Sequence, residues 1–124
     1  MSVPLIAAAI LSAAIGVAHS FLGERLLLGP LFQRGEVPKL LGSATFARNT
    51  LRFAWHLTTV LLIAIGAIVV VLARLPIDEQ SVAILRIVSI TFGLSTLVSL
   101  IGARGKHFSW WVFLAIAVLL WFGA

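Results

Sequence analysis

The chain has 124 residues, of which 61% are apolar and only 10% charged, with no cysteine and a formal charge of +5; its mean hydropathy is +1.16. A soluble domain carries about 25% charged and about 45–50% apolar residues. So few charges cannot cover a water-facing particle, which excludes a soluble enzyme, a disordered tail and a disulfide-stapled secreted module. In so apolar a chain the positive balance reads as membrane orientation and gives no reason to expect nucleic acid as a partner.

A helix needs about 20 apolar residues to cross the hydrocarbon core. In chain order, the first expected span covers residues 3–22, with no charge before Glu24. The start Met-Ser-Val-Pro lacks the positive flank of a secretory signal, so this segment is expected to stay as a mature helix. A loop over 23–45 follows. It interleaves Leu26, Leu27, Leu28, Leu31, Phe32, Leu40 and Leu41 with Arg25, Arg34 and Lys39, and Gly29-Pro30 and Pro38 punctuate it. One or two short interfacial helices are expected there. The second span is expected over 46–73, with a wetter beginning, and the third over 82–102. The fourth, over 108–123, is short and should cross with little tilt. The expected fold is therefore all-α, a single-domain four-helix transmembrane bundle without internal repeats.

Threading these spans places Arg25, Arg34, Lys39, Arg48, Arg52, Arg104 and Lys106 on one side and only Arg74 and Arg86 on the other. Seven basic residues against two predict that the long loop is cytoplasmic and both termini are not. The expected location is a bacterial cytoplasmic (inner) membrane.

The same threading brings His19, His56 and His107 to the cytoplasmic end. Ala8, Ser12, Gly16 and Ser20 follow one another at four-residue intervals in the first span, a row that lets another backbone approach. In the second, Thr45, Asn49, Arg52, His56 and Thr59 form a polar stripe, and Ser89, Gly93, Thr96 and Ser99 form one in the third. Three such stripes facing lipid would be costly. They are expected to face one another across a polar cleft lined by Ser12, Ser20, Asn49, Thr59 and Thr96, with Arg48, Arg52, Arg104 and Lys106 around its mouth. Arg52 with His56, an ionisable pair one turn apart entering the membrane, is the most informative feature. Each element also has a plain structural role: small-residue rows pack helices, His107 beside Lys106 is an interfacial residue, and the arginines set topology.

The leading functional expectation is a metal or haem site. His19 and His56 would supply both axial ligands of a b-type haem, with Arg48 and Arg52 on the propionates. Alternatively His19, His56, His107 and Glu24 would hold a divalent metal ion. A redox role would then need a quinone or a membrane-protein partner. The second expectation is an anionic, lipid-like amphiphile bound or processed in the basic cleft, with His56 or His19 as general base. Ser20 beside His19 is sequence adjacency and supplies no triad. Two further expectations are a small oligomeric transporter and a non-catalytic subunit of a larger complex. The length suits the small multidrug exporters or the fluoride channels, but Ser12 and alanines stand where the exporters carry a mid-membrane glutamate, and the one-sided charge departs from the channels' balance. Neither resemblance holds. Membrane lipids and a second copy of the chain remain expected partners.

Overall fold

The computed structural model describes residues 2–124, and among these the chain is mostly helical and has no strand beyond a lone Leu40–Ser43 bridge. α1 (Val3–Gly23) opens with Pro4 in its first turn, where a missing N–H costs nothing. A π-helical segment (Glu24–Leu28) and α2 (Gly29–Arg34) continue it without a break. α3 (Ala44–Arg74), α4 (Glu79–Gly102) and α5 (Ser109–Gly123) complete the chain. The segments Val3–Arg34, Ala44–Arg74 and Glu79–Gly102 are long and apolar enough to cross a membrane, and Ser109–Gly123 is a shorter apolar helix. This is the build of a membrane-embedded helical protein.

Local chemistry sets most helix ends. Ser43 caps α3, its hydroxyl accepting from the Phe46 N–H at 3.1 Å. At the far end of α3, Leu75 is extended because Pro76 follows it. Asp78 caps α4, accepting the Ser81 N–H at 2.8 Å. Hydrogen bonding by Ser81, hydroxyl first and backbone second, holds the Asp78 carboxyl below the usual carboxylate range.

The segment expected as a loop from residue 23 is helical as far as Arg34, where Gly35 turns left-handed at φ 70°. Gly29-Pro30 would ordinarily interrupt a helix, because proline has no donor and its ring crowds the carbonyl four residues back. Here the Gly29 N–H instead reaches back five residues to the Glu24 carbonyl. The wider turn lets Pro30 sit at the start of α2.

The helices alternate in direction, and their packing order differs from their chain order. α1 lies between α3 and α5, and α5 also packs on α4; α3 and α4, although consecutive, share no extended interface. The core gathers Leu5, Ala8, Val69, Leu85, Phe92, Ile116 and Leu120 along these seams. Backbones approach closely where glycine allows it: a side chain at Gly66 would meet the Ala9 carbonyl oxygen at 2.9 Å. Outward faces carry large apolar side chains, among them Val60, Val71, Ile87, Val98 and Trp111, as expected of surfaces that face lipid or other chains.

Candidate functional site

The polar stripe of α4 does not join those of α1 and α3. Ser89 Oγ donates to the Ala117 carbonyl at 2.7 Å, Ser99 meets Ser109, and Thr96 Oγ1 donates to the Phe92 carbonyl of its own helix at 2.9 Å. The reason is the packing order: with α1 inserted between α3 and α5, the inner face of α4 meets α5. The three-walled cleft expected from sequence is thus replaced by two separate seams.

The α1–α3 seam is where ionisable groups meet. Ser20 and Glu24 lie four residues apart at the end of α1, opposite Arg52 and His56 at the same spacing on α3. Arg52 grips the Glu24 carboxylate with two bonds, Nη2 to Oε1 at 2.6 Å and Nε to Oε2 at 3.2 Å. His56 Nε2 lies 3.3 Å from Glu24 Oε2, and its Nδ1 lies 2.7 Å from Ser20 Oγ. Ser20 Oγ is also 2.6 Å from Thr59 Oγ1, which donates to the Gly16 carbonyl at 2.9 Å. One hydrogen-bonded chain therefore runs Arg52–Glu24–His56–Ser20–Thr59–Gly16. The Arg52 guanidinium also sits over the Phe32 ring, 5.0 Å from its centroid, so α2 closes one side.

Counting protons shows two forms of this chain. Thr59 has one hydroxyl proton and gives it to Gly16, so the Ser20–Thr59 bond uses the proton of Ser20. Ser20 then accepts from Nδ1, and with Nε2 facing a carboxylate the ring carries both protons. In the other form Ser20 turns its proton to Nδ1 and no longer donates to Thr59, Nε2–H stays on Glu24, and the ring is neutral.

His19 stands beside this chain without joining it. Its ring stacks on Trp55 at 4.4 Å between centroids and 5° between planes, and Trp55 Nε1 donates to the His19 carbonyl at 3.0 Å. Gly23 makes room for that indole, because a Cβ there would run into the ring. His19 Nε2 is buried and has no hydrogen-bond partner among the described residues. His107 is exposed; its Nδ1 bonds Ser109 Oγ at 2.8 Å and accepts the Ser109 N–H at 3.2 Å, at the start of α5. Among the described residues no group of three or more His, Asp or Glu is placed to hold a metal ion.

The remaining expected residues are spread around the seam. Ser12 is buried and donates to the Leu62 carbonyl at 2.8 Å, a packing bond deeper in the membrane. Arg48 buries its Nε without a partner among the described residues. Arg104 and Lys106 are exposed in the α4–α5 connection. Asn49, Arg52 and His56 line an open groove of about 520 Å³ along the outer face of α3, together with Phe53, Leu57 and Val60. Sequence reasoning missed the partnership of Ser20 with His56. The signal was present in the two matched four-residue spacings, Ser20/Glu24 and Arg52/His56, on neighbouring antiparallel helices.

Fold and site together define a membrane-embedded helical protein with an ionisable, hydroxyl-linked seam at one end of two helices. Comparisons with known families, with curated proteins and with solved structures find no match for this chain.

Proposed function

We propose that this protein binds an anionic, single-chain amphiphile in the groove along α3, at the cytoplasmic face of a bacterial inner membrane, with both termini on the opposite side. The observation that carries this reading is the polarity gradient of the groove. Asn49 and Arg52 lie at its outer end beside Phe53, His56 follows one turn further in, and only Leu57 and Val60 continue inward, so the outer end suits a phosphate or carboxylate and the inner end an alkyl chain. Glu24 takes Nε and Nη2 of Arg52, and no described residue bonds Nη1, which is left for an incoming anion. Seven basic residues at this end against two at the other support the orientation.

The test is binding of dodecyl phosphate to the detergent-purified protein, followed by native mass spectrometry. Saturable binding that weakens about tenfold or more in Arg52→Ala, the loss of about 1.4 kcal/mol, is expected. Equal retention of neutral dodecyl maltoside, or undiminished binding in Arg52→Ala, would exclude the reading.

One observation favours a second reading. The unpartnered Nε2 of His19 is a free imidazole ligand for a haem or a divalent metal ion. His56 joins it as the second ligand only by giving up Ser20 or Glu24, since both of its nitrogens are engaged. A visible absorption spectrum with elemental analysis of the purified protein decides this: a Soret band or stoichiometric metal, lost in His19→Ala, supports ligation, and a colourless, metal-free preparation rejects it. A quinone, a partner subunit or a second copy of the chain would bear on this reading.

A further inference from the structure

We propose that Ser20, His56 and Glu24 form an acyl-transfer relay that cleaves an ester of the amphiphile held in the α3 groove; this rests on the binding reading above. The geometry is that of a hydroxyl nucleophile, an imidazole base and an orienting carboxylate. Ser20 Oγ lies 2.7 Å from Nδ1, and Nε2 lies 3.3 Å from Glu24 Oε2. Arg52 fixes the carboxylate with two bonds, so the ring is held from the far side as such a base requires. His56 belongs both to the groove and to the relay, and the half-buried Ser20 lies one hydrogen bond behind its ring.

Helix packing alone does not call for these residues. Elsewhere the chain joins its helices with neutral bonds from hydroxyl to carbonyl, as at Ser12–Leu62 and Ser89–Ala117. Ionisable side chains within a membrane are expensive, and among the described residues only here are an arginine, a glutamate and a histidine linked in turn to a serine.

The reactive form is the one with a neutral ring. Ser20 Oγ attacks the ester carbonyl carbon while its proton passes to Nδ1, and Glu24 stabilises the doubly protonated ring through Nε2–H. The carbon–oxygen bond to the alcohol then breaks, and the departing alkoxide takes the proton from Nδ1. Water attacks the acylated Ser20 by the same route, giving a proton to Nδ1 that returns to Ser20 Oγ. The balance is ester plus water to carboxylic acid plus alcohol, and the carboxylate formed is an anion that Arg52 attracts.

The experiment treats the purified full chain with a long-chain alkyl fluorophosphonate and reads intact mass and peptide maps. One adduct on Ser20 is expected, absent in Ser20→Ala and formed at least about 100-fold more slowly in His56→Gln. Glu24 is a positioning residue: Glu24→Gln slows labelling, and Glu24→Asp restores part of the rate. No adduct on wild-type protein that still binds dodecyl phosphate overturns the relay and leaves the binding reading standing. Adduct formation without dodecyl phosphate binding supports the relay and removes the binding reading. An adduct on any serine other than Ser20 overturns the relay, and this is read on wild-type protein whether or not the variants fold.

Discussion

The α1–α3 seam and the α4–α5 seam are built from similar small and hydroxylated residues, yet they differ in what their polar groups do. On α4–α5, Ser89 donates to a backbone carbonyl and Ser99 meets Ser109. The Ser89 bond is neutral and complete in itself, and Ser109 shares its hydroxyl with the exposed His107 but, among the described residues, with no acidic or basic partner beyond it. On α1–α3 the same kind of bond recurs deeper down, at Ser12 and Thr59, but the interfacial end adds Glu24, Arg52 and His56. There each group depends on the proton position of the next. Spacing of small residues therefore identifies a seam, whereas ionisable residues matched across a seam identify a site.

The difference can be tested hardest with glycine. Gly23 faces the Trp55 indole, which stacking and a hydrogen bond pin in place, whereas nothing lies within 4 Å of a Cβ at Gly93 on α4. Gly23→Leu should cost about 1–3 kcal/mol by overpacking and lower the thermal midpoint in detergent. Gly93→Ala should be neutral or stabilising by about 0.5–1 kcal/mol through helix propensity. Equal effects at the two positions would erase the distinction.

A second comparison uses coupling. Arg52→Ala and Glu24→Ala should each lower the thermal midpoint, and the double variant should lose less than the sum, because the second change removes a charge the first left unpaired. On the other seam, Ser89→Ala should cost only about 0.6 kcal/mol, the average for an interhelical bond in a membrane. A strictly additive Arg52/Glu24 cycle would show that the ionisable end is no more cooperative than the neutral seam.

The smallest effect is at Asp78, in the α3–α4 connection away from both seams. Its folded carboxyl is held below its unfolded value, so its contribution is present above the unfolded pKa and fades as pH falls through the folded one. Asp78→Ala should lower the thermal midpoint slightly at neutral pH and not at all in strong acid. A difference that persists in acid would assign the effect to something other than the carboxylate cap.

The four apolar helices were legible because hydropathy is a local signal, but hydropathy alone put the start of α3 at 46 and of α4 at 82, and the caps Ser43 and Asp78 begin them at Ala44 and Glu79. The continuation to Arg34 was not, because Gly29-Pro30 reads as a break unless the Glu24 carbonyl finds a donor five residues on. Convergence at one end of the seam was legible for His19, His56, Glu24 and Arg52, since charge bias and alternating direction place them there. Partner choice was not. Whether α4 meets α3 or α5 depends on which helix fills the middle, and chain order carries no information on that. Asn49 reached the groove, while Thr96 went to the other seam with its helix.

The π-helical segment has a consequence for how this end of the molecule can change. A turn closed over five residues instead of four amounts to one inserted residue, which rotates everything beyond it by about 100°. That rotation sets the phase at which Leu28 turns inward and Phe32 lies over Arg52, while Ser20 and Glu24 keep the phase of α1. The nose of the helix is thus geared separately from its shaft. Losing a single residue within 25–28 would swing the Phe32 cover away from Arg52 and leave the Ser20–His56–Glu24 chain beneath it where it is.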